Sequence, residues 1–169
     1  MKSEESGSPQ DDVSVATMKD RRQQMELTFP SDFKYLGAVD AAIQDLAREF
    51  AFSQSSINDL SAALIEACSN AIEHGNKFSK RKRVRVVLGF NGGSLSACVY
   101  DQGVGFDYDK ILGRSLPPEP ISERGRGLMI MQAFTDELNF KYVAKKGLCV
   151  ELVKVDKDSA TKAEGGEAG

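Results

Sequence analysis

EACSNAIEHGN, Glu66 to Asn76, is the stretch on which the reading of this chain turns. It places an acid, an amide and the chain's one histidine at four-residue steps: Glu66, Asn70 and His74. A helix turns about 100° per residue, so a step of four drifts only about 40° and the three form one row. Leu60, Leu64, Ala67 and Ala71 mark the apolar face of the same helix. Glu66 falls just outside that face, Asn70 closer to it, and His74 at its margin. The row is a seam between core and solvent, and such seams line clefts. Taken alone it is also what the polar edge of any amphipathic helix looks like, and a lone histidine at such a margin is more often structural than a ligand.

The elements around the helix set its context. QMELTF alternates and then meets Pro30, which predicts a short strand. A helix follows from about Ser31, with Phe33, Leu36, Val39, Ile43, Leu46 and Phe50 at helical spacing. Ser56-Ile57-Asn58-Asp59 has the form of a capping box and predicts the start of the second helix, which runs to a C-cap at Gly75-Asn76. Arg83 to Phe90 is β-branched and apolar, Asn91-Gly92-Gly93 signals a hairpin, and Leu95 to Tyr100 returns. The glycine-rich DQGVGFD comes next. An irregular segment, GRSLPPEPISERGRG, then leads to a helix at about Leu128. Glu137 to Val143 and Leu148 to Val155 form a last hairpin, turning at Lys145-Lys146-Gly147. The order β-α-α-β-β-loop-α-β-β predicts an α+β two-layer sandwich, with helices on one face of a mixed, largely antiparallel sheet. The polar ends, 1–22 and 157–169, read as disordered tails around one domain at 23–156.

The totals narrow the function classes. The chain has 169 residues, enough for one well-filled core, with 41% hydrophobic and 28% charged residues. Its formal net charge is −3 and its pI about 5.3, so nothing general favours nucleic acid or anionic membrane as a partner. The basic run Lys80 to Arg83 reads as the solvated start of a strand. Cys68, Cys98 and Cys149 are far apart and lack zinc-ligand spacing, which predicts free thiols in a reducing compartment. The N-terminus has no signal-peptide pattern, and no apolar run approaches the roughly 20 residues of a membrane span. A cytoplasmic protein is the expectation.

Two glycine pairs join the helix row. In DQGVGFD, Asp101 ends a strand and is followed by Gly103 and Gly105, which permit close approach by a ligand or another backbone. A carboxylate there accepts hydrogen bonds only, so it can take one from an exocyclic amine such as that of adenine. In ERGRGLMIM, Gly125 and Gly127 precede the predicted helix, where free N–H groups bind phosphate, and Arg124 and Arg126 add charge. No Walker A loop is present, and DQGVGF is not the dinucleotide fingerprint. Each pair alone also fits an ordinary turn. The succession E-x3-N-x3-H, D-x-G-x-G-F, G-x-G-L-x-x-M is far more specific than its parts.

In that succession the chain resembles the GHKL ATPase superfamily, whose members share the Bergerat ATP-binding fold. EACSNAIEHGN resembles its N box, DQGVGF its first glycine box and GRGLMIM its second. The resemblance spans about Gln24 to Val155 and is closest to the anti-sigma factor serine/threonine kinases of the RsbW/SpoIIAB type. It implies ATP and Mg²⁺ as cofactors, with Asn70 as the metal ligand and Glu66 as general base. It further implies that Asp101 binds the adenine amino group, that Gly103 and Gly105 shape the base pocket, and that Gly125, Arg126 and Gly127 lie against the phosphates. Leu116 to Arg124 would be a lid. Either Arg124 or Arg126 would meet the γ-phosphate, and His74 has no assigned role.

Gyrase- and Hsp90-like enzymes need further domains, and a sensor histidine kinase needs a phosphoacceptor histidine elsewhere. The expectation is therefore a free-standing kinase that sequesters a sigma factor and phosphorylates an anti-anti-sigma protein of STAS type, as a homodimer by the same resemblance. Two other readings stay open: a nucleotide-gated binding module without useful catalysis, and a switch kinase with no sigma partner.

Overall fold

The computed structural model describes residues 24–91, 93–104, 123–143 and 147–156. The predicted tails, Gly105 and the lid residues 116–122 lie outside them. Five strands form one sheet in the order β1-β2-β3-β5-β4: β1 (Gln24–Pro30), β2 (Arg83–Asn91), β3 (Ser94–Tyr100), β4 (Glu137–Val143) and β5 (Gly147–Val155). All pairings between them are antiparallel. The helices α1 (Leu36–Glu49), α2 (Gln54–Asn70) and α3 (Glu123–Phe134) supply the second layer. The expected two-layer α+β sandwich is what forms, but the described sheet is antiparallel throughout and not mixed, because β2–β3 and β4–β5 are hairpins and β1 and β3 pair antiparallel with β2 and β5.

Alternation along the strands sets the two faces. Val84, Val86 and Leu88 of β2, Leu95, Ala97 and Val99 of β3, and Leu148, Val150 and Leu152 of β5 are buried beneath the helices. Val39, Ile43 and Ala47 of α1 meet Leu60, Leu64 and Ala67 of α2 above them, and Met131 of α3 closes the other flank. Each fully buried Ile, Leu or Met contributes about 1.5–3 kcal/mol. The layer holds α2 in the middle, between α1 and α3, with its polar row toward α3.

Several boundaries differ from the sequence expectation. The first helix is preceded by a 3-10 turn, Phe33–Tyr35, capped by Asp32, whose carboxylate accepts from the Lys34 N–H at 3.1 Å. Phe33 therefore leaves the apolar stripe and is 45% exposed. The second helix begins at Gln54, not at a Ser56 capping box: Ser53 is the N-cap, and its Oγ accepts from the Ser56 N–H at 3.3 Å. Asp59 instead pairs with Lys154 at 2.9 Å. Asp156, just past β5, receives the Ser53 N–H at 2.8 Å and the Ser53 and Ser56 hydroxyls at 2.9 and 3.2 Å. A buried carboxylate there also complements the positive end of the helix dipole.

The end of α2 holds the largest departure. Ala71–Gly75 widens into a π-helical turn, marked by the Asn76 N–H donating to the Ala71 carbonyl at 2.8 Å. Single π turns of this kind are frequent at functional sites. The helical turns do run to Gly75 with Asn76 at the C-cap, as expected, but Gly75 is not left-handed. The positive φ values fall on Lys77 (52°) and Phe78 (56°).

Candidate nucleotide site at the end of the central helix

Asp101 lies at the focus of three glycines. Its carboxylate is buried, and Oδ1 accepts the N–H groups of Gly103 at 2.8 Å and Leu148 at 3.0 Å. Its own N–H donates to the Leu148 carbonyl at 3.0 Å, extending the β3–β5 ladder by one rung. A Cβ on Gly75 would fall 2.5 Å from the Asp101 carboxyl carbon, and one on Gly147 would fall 2.7 Å from the Asp101 carbonyl carbon. Gly147 has φ +98°, so it answers both a turn and a close approach. A Cβ on Gly103 would meet the Gly75 backbone at 2.9 Å. With Oδ1 saturated, Oδ2 is the acceptor left for a ligand amine.

Asn76 ties this nest to the sheet. It is fully buried, and its Nδ2 donates to Ser31 Oγ at 2.8 Å and to the Arg83 carbonyl at 2.9 Å. Its Oδ1 accepts the Gln102 N–H at 2.7 Å, and Gln102 Oε1 accepts the Arg83 N–H at 2.6 Å. The residue after Asp101 is thus fixed from both sides.

The helix row stands a short way along α2. Glu66, Asn70 and His74 are all half-buried, and the side-chain oxygens of Glu66 and Asn70 have no hydrogen-bond partner among the described residues. Burial pushes the Glu66 carboxyl above the usual glutamate range; the nearby His74 pulls it down and Glu73 pushes it up. The widened turn between Asn70 and His74 means that the row is not the straight stripe of an ideal α-helix. His74 contributes as an electrostatic neighbour of Glu66.

Gly127 faces Glu66 from α3. It is buried, and a Cβ there would fall 2.8 Å from the Glu66 carboxyl carbon. Here the expectation is corrected: α3 begins at Glu123, not about Leu128, so Gly125 and Gly127 lie inside the helix and not ahead of it. The N–H of Gly127 is beyond the first four donors, which are the ones a helix leaves open to an anion, whereas Gly125 is within them. Glycine costs about 1 kcal/mol in a helix relative to alanine, and contact with Glu66 accounts for one at 127. Arg126 is exposed on the same turn.

The predicted site residues therefore gather around one end of α2: Glu66 and Asn70 on it, Gly127 against Glu66, and Asp101 with Gly103 beyond Gly75. The sequence reading missed Gly75, Gly147, Asn76 and Gln102. Gly75 reads as part of a cap and Gly147 as part of a turn, and the one available signal is that Gly75 and Asn76 directly follow His74, the last residue of the row.

Among the described residues no three His, Cys, Asp or Glu side chains converge as a metal cage. The donors fit Mg²⁺ in another way. An unengaged amide oxygen suits a hard cation that keeps waters and takes its other ligands from phosphate. No described helix is long and apolar enough to cross a membrane.

Comparison with known proteins agrees with this geometry. Residues 29–154 match the histidine kinase-like ATPase domain family. The chain is similar to the serine-protein kinase RsbW of Bacillus subtilis (strain 168), 29% identical over 86% of this chain and 97% of the relative. To the serine-protein kinase RsbW of Bacillus licheniformis it is 32% identical over 81% of this chain and 88% of the relative. Two solved structures share the fold. One is the SiaB-SiaC complex from Pseudomonas aeruginosa, with TM-score 0.60 and 16% identity over 76% of this chain and 88% of that chain. The other contains the RsbU and RsbW domains of Rv1364c from Mycobacterium tuberculosis, with TM-score 0.56 and 18% identity over 78% of this chain and 31% of that longer one.

Proposed function

We propose, from the premise that this chain belongs to the histidine kinase-like ATPase domain family and to its RsbW-type serine-protein kinases, that it phosphorylates a serine or threonine of a partner protein and governs a sigma factor by doing so. It binds ATP and is a protein serine/threonine kinase. The observation that carries the site assignment is the pairing of Glu66, half-buried and unengaged, with buried Gly127, one helical turn from the unengaged amide of Asn70.

The chemistry follows from positions. Asp101 Oδ2 accepts from the adenine amino group, while the glycines at 75, 103 and 147 leave room for Asp101 and the backbone around it. By the family resemblance Gly125, Arg126 and Gly127 would lie against the phosphates, and Gly105 would shape the base pocket. Asn70 would hold Mg²⁺, which when bound supplies charge neutralisation across the phosphates. Glu66 takes the proton of the partner's hydroxyl as that oxygen bonds to the γ-phosphorus and the bond to the β-phosphate oxygen breaks, leaving ADP and phosphoprotein. A raised carboxyl pKa brings the base closer to neutrality and strengthens it.

The partner phosphorylated is an anti-anti-sigma protein of STAS type, and the protein sequestered is a sigma factor, in the cytoplasm. The test is transfer of the γ-phosphate to a STAS-type protein from the same organism, by wild type and by Glu66→Gln. The proposal expects transfer by the first, loss by the second, and equal ATP affinity in both. Equal transfer by both removes Glu66 from the mechanism. Nucleotide-dependent binding without transfer by either would make the chain a binding module, and absence of a co-purifying sigma factor would make it a switch kinase of another kind.

A further inference from the structure

Phe33 and Phe78 meet on the surface beside the nucleotide site. Their rings pack edge to face, with centroids 5.4 Å apart at 88°, yet the two residues are 45% and 51% exposed. Aromatic side chains are enriched among the residues that anchor protein–protein contacts. The backbone strengthens the point. Phe78 sits at φ 56° and Lys77 at φ 52°, a left-handed region that disfavours bulky side chains. The loop is held there by the Phe78 N–H on the Ile72 carbonyl at 2.9 Å and the Ser79 N–H on the Asn76 carbonyl at 3.1 Å. Glycine would suit position 78 better, but the chain places a phenylalanine there and turns it outward.

The charge around the pair is mostly positive. Residues 77–83 carry Lys77, Lys80, Arg81, Lys82 and Arg83, five cations in a chain of net charge −3. Lys34 flanks Phe33, and the acid of the patch, Asp32, lies 3.6 Å from Lys34 and within the field of Lys80. The patch also connects to the nucleotide nest. Ser31, two residues from Phe33, receives Asn76 Nδ2, while Asn76 Oδ1 holds Gln102 beside Asp101.

We propose that the Phe33–Phe78 pair and its basic rim form a docking surface for a protein partner that presents an apolar pocket edged with carboxylates, so that the kinase grips its protein substrate outside the phosphate-transfer site. The edge-to-face packing engages both rings with each other, which favours an apolar protein pocket over stacked bases. The substrate role of that partner rests on the function proposed above; the surface itself does not.

Two full-length variants test it: Phe78→Gly, and Lys80→Glu combined with Arg81→Glu. The probe is the STAS-type protein that wild type phosphorylates fastest. The proposal expects each variant to raise KM for that protein at least about tenfold, with kcat at saturation and ATP affinity within twofold of wild type. Phe78→Gly should also melt at a temperature no lower than wild type, because it relieves the left-handed phenylalanine. Unchanged KM in both variants overturns the proposal. So does a change confined to self-association, which would make the patch an interface between copies, or to binding of a uridine oligonucleotide, which would make it a nucleic-acid contact. If wild type transfers no phosphate, the kinase reading fails separately, and calorimetric affinity for the same protein then decides the docking claim by the same tenfold criterion.

Discussion

Gly127 of α3 lies against the carboxyl group of Glu66 on α2, with no room between them for a methyl group. The two residues are far apart in sequence, and their contact joins the second glycine box to the proposed base. It makes the position of the carboxylate depend on the first turns of α3, the helix that follows the expected lid.

Gly127→Ala follows directly. Alanine favours the helix by about 1 kcal/mol, but its methyl group must displace the Glu66 carboxylate or move α3. Phosphotransfer should fall at least about tenfold from misplacement of the base, without a matching loss of thermal stability. Steady-state kinetics beside a melting curve reads both, and a fully active alanine variant would show that the contact is not used.

Glu66 gives a prediction in pH. Burial raises its pKa above the ordinary glutamate value. As a base it works only when ionised, so activity should decline as pH falls through that raised value. Its linkage runs opposite to a salt-bridged carboxylate: the folded protein binds the proton more readily than the unfolded chain, so this group's contribution to stability declines as pH rises through the window between the two values. Glu66→Gln should thus cost about 10²–10⁴-fold in transfer while leaving stability at neutral pH equal or higher. Denaturant melts at two pH values check the second part; a destabilised glutamine variant at neutral pH would contradict it.

Asp101 separates fold from recognition. In Asp101→Asn the amide oxygen can keep the N–H groups of Gly103 and Leu148, but the outer atom becomes a donor where the proposed adenine amino group needs an acceptor. Calorimetry should find ATP bound about ten- to a hundredfold more weakly, in line with a lost charge-assisted hydrogen bond of about 1.5–3 kcal/mol. Gly75→Ala should weaken binding in the same direction by crowding that carboxylate. Normal affinity in both variants would move the base pocket elsewhere.

Much of this was legible in the sequence, and for physical reasons. Periodicity and apolar runs found α1, α2 and the five strands, because Val39, Ile43, Leu60 and Leu64, or Val84, Val86 and Leu88, must bury one face. Glu66, Asn70, Asp101 and Gly103 were legible as an ordered set. What was hidden was tertiary. Gly75 reads as a cap because a glycine after a helix usually is one; only the fold brings Asp101 against it. Asn76 looks like cap chemistry, yet its amide is consumed by Ser31, Arg83 and Gln102, brought in from three other segments. The start of α3 was placed too late because two glycines in a helix contradict propensity, and the contact that accounts for Gly127 lies on another helix.

The Asn76 hub carries its own expectation. Asn76→Ala strips three buried or part-buried hydrogen bonds and leaves the Gln102 N–H and the Arg83 carbonyl without that partner. Unsatisfied buried groups cost about 1–3 kcal/mol each, so the urea midpoint should drop clearly, with nucleotide affinity falling alongside as Asp101 loses its support. An alanine variant as stable as wild type would mean that solvent replaces the amide without cost.

The most direct measurement is ATP affinity by calorimetry, with and without Mg²⁺, for wild type and Asn70→Ala. The account predicts tight binding by wild type that depends on Mg²⁺, and binding by the alanine variant that is weaker and nearly indifferent to the metal. Wild-type affinity unaffected by Mg²⁺, or an Asn70→Ala protein that keeps the full metal response, would contradict the assignment of Asn70 as the residue that holds Mg²⁺.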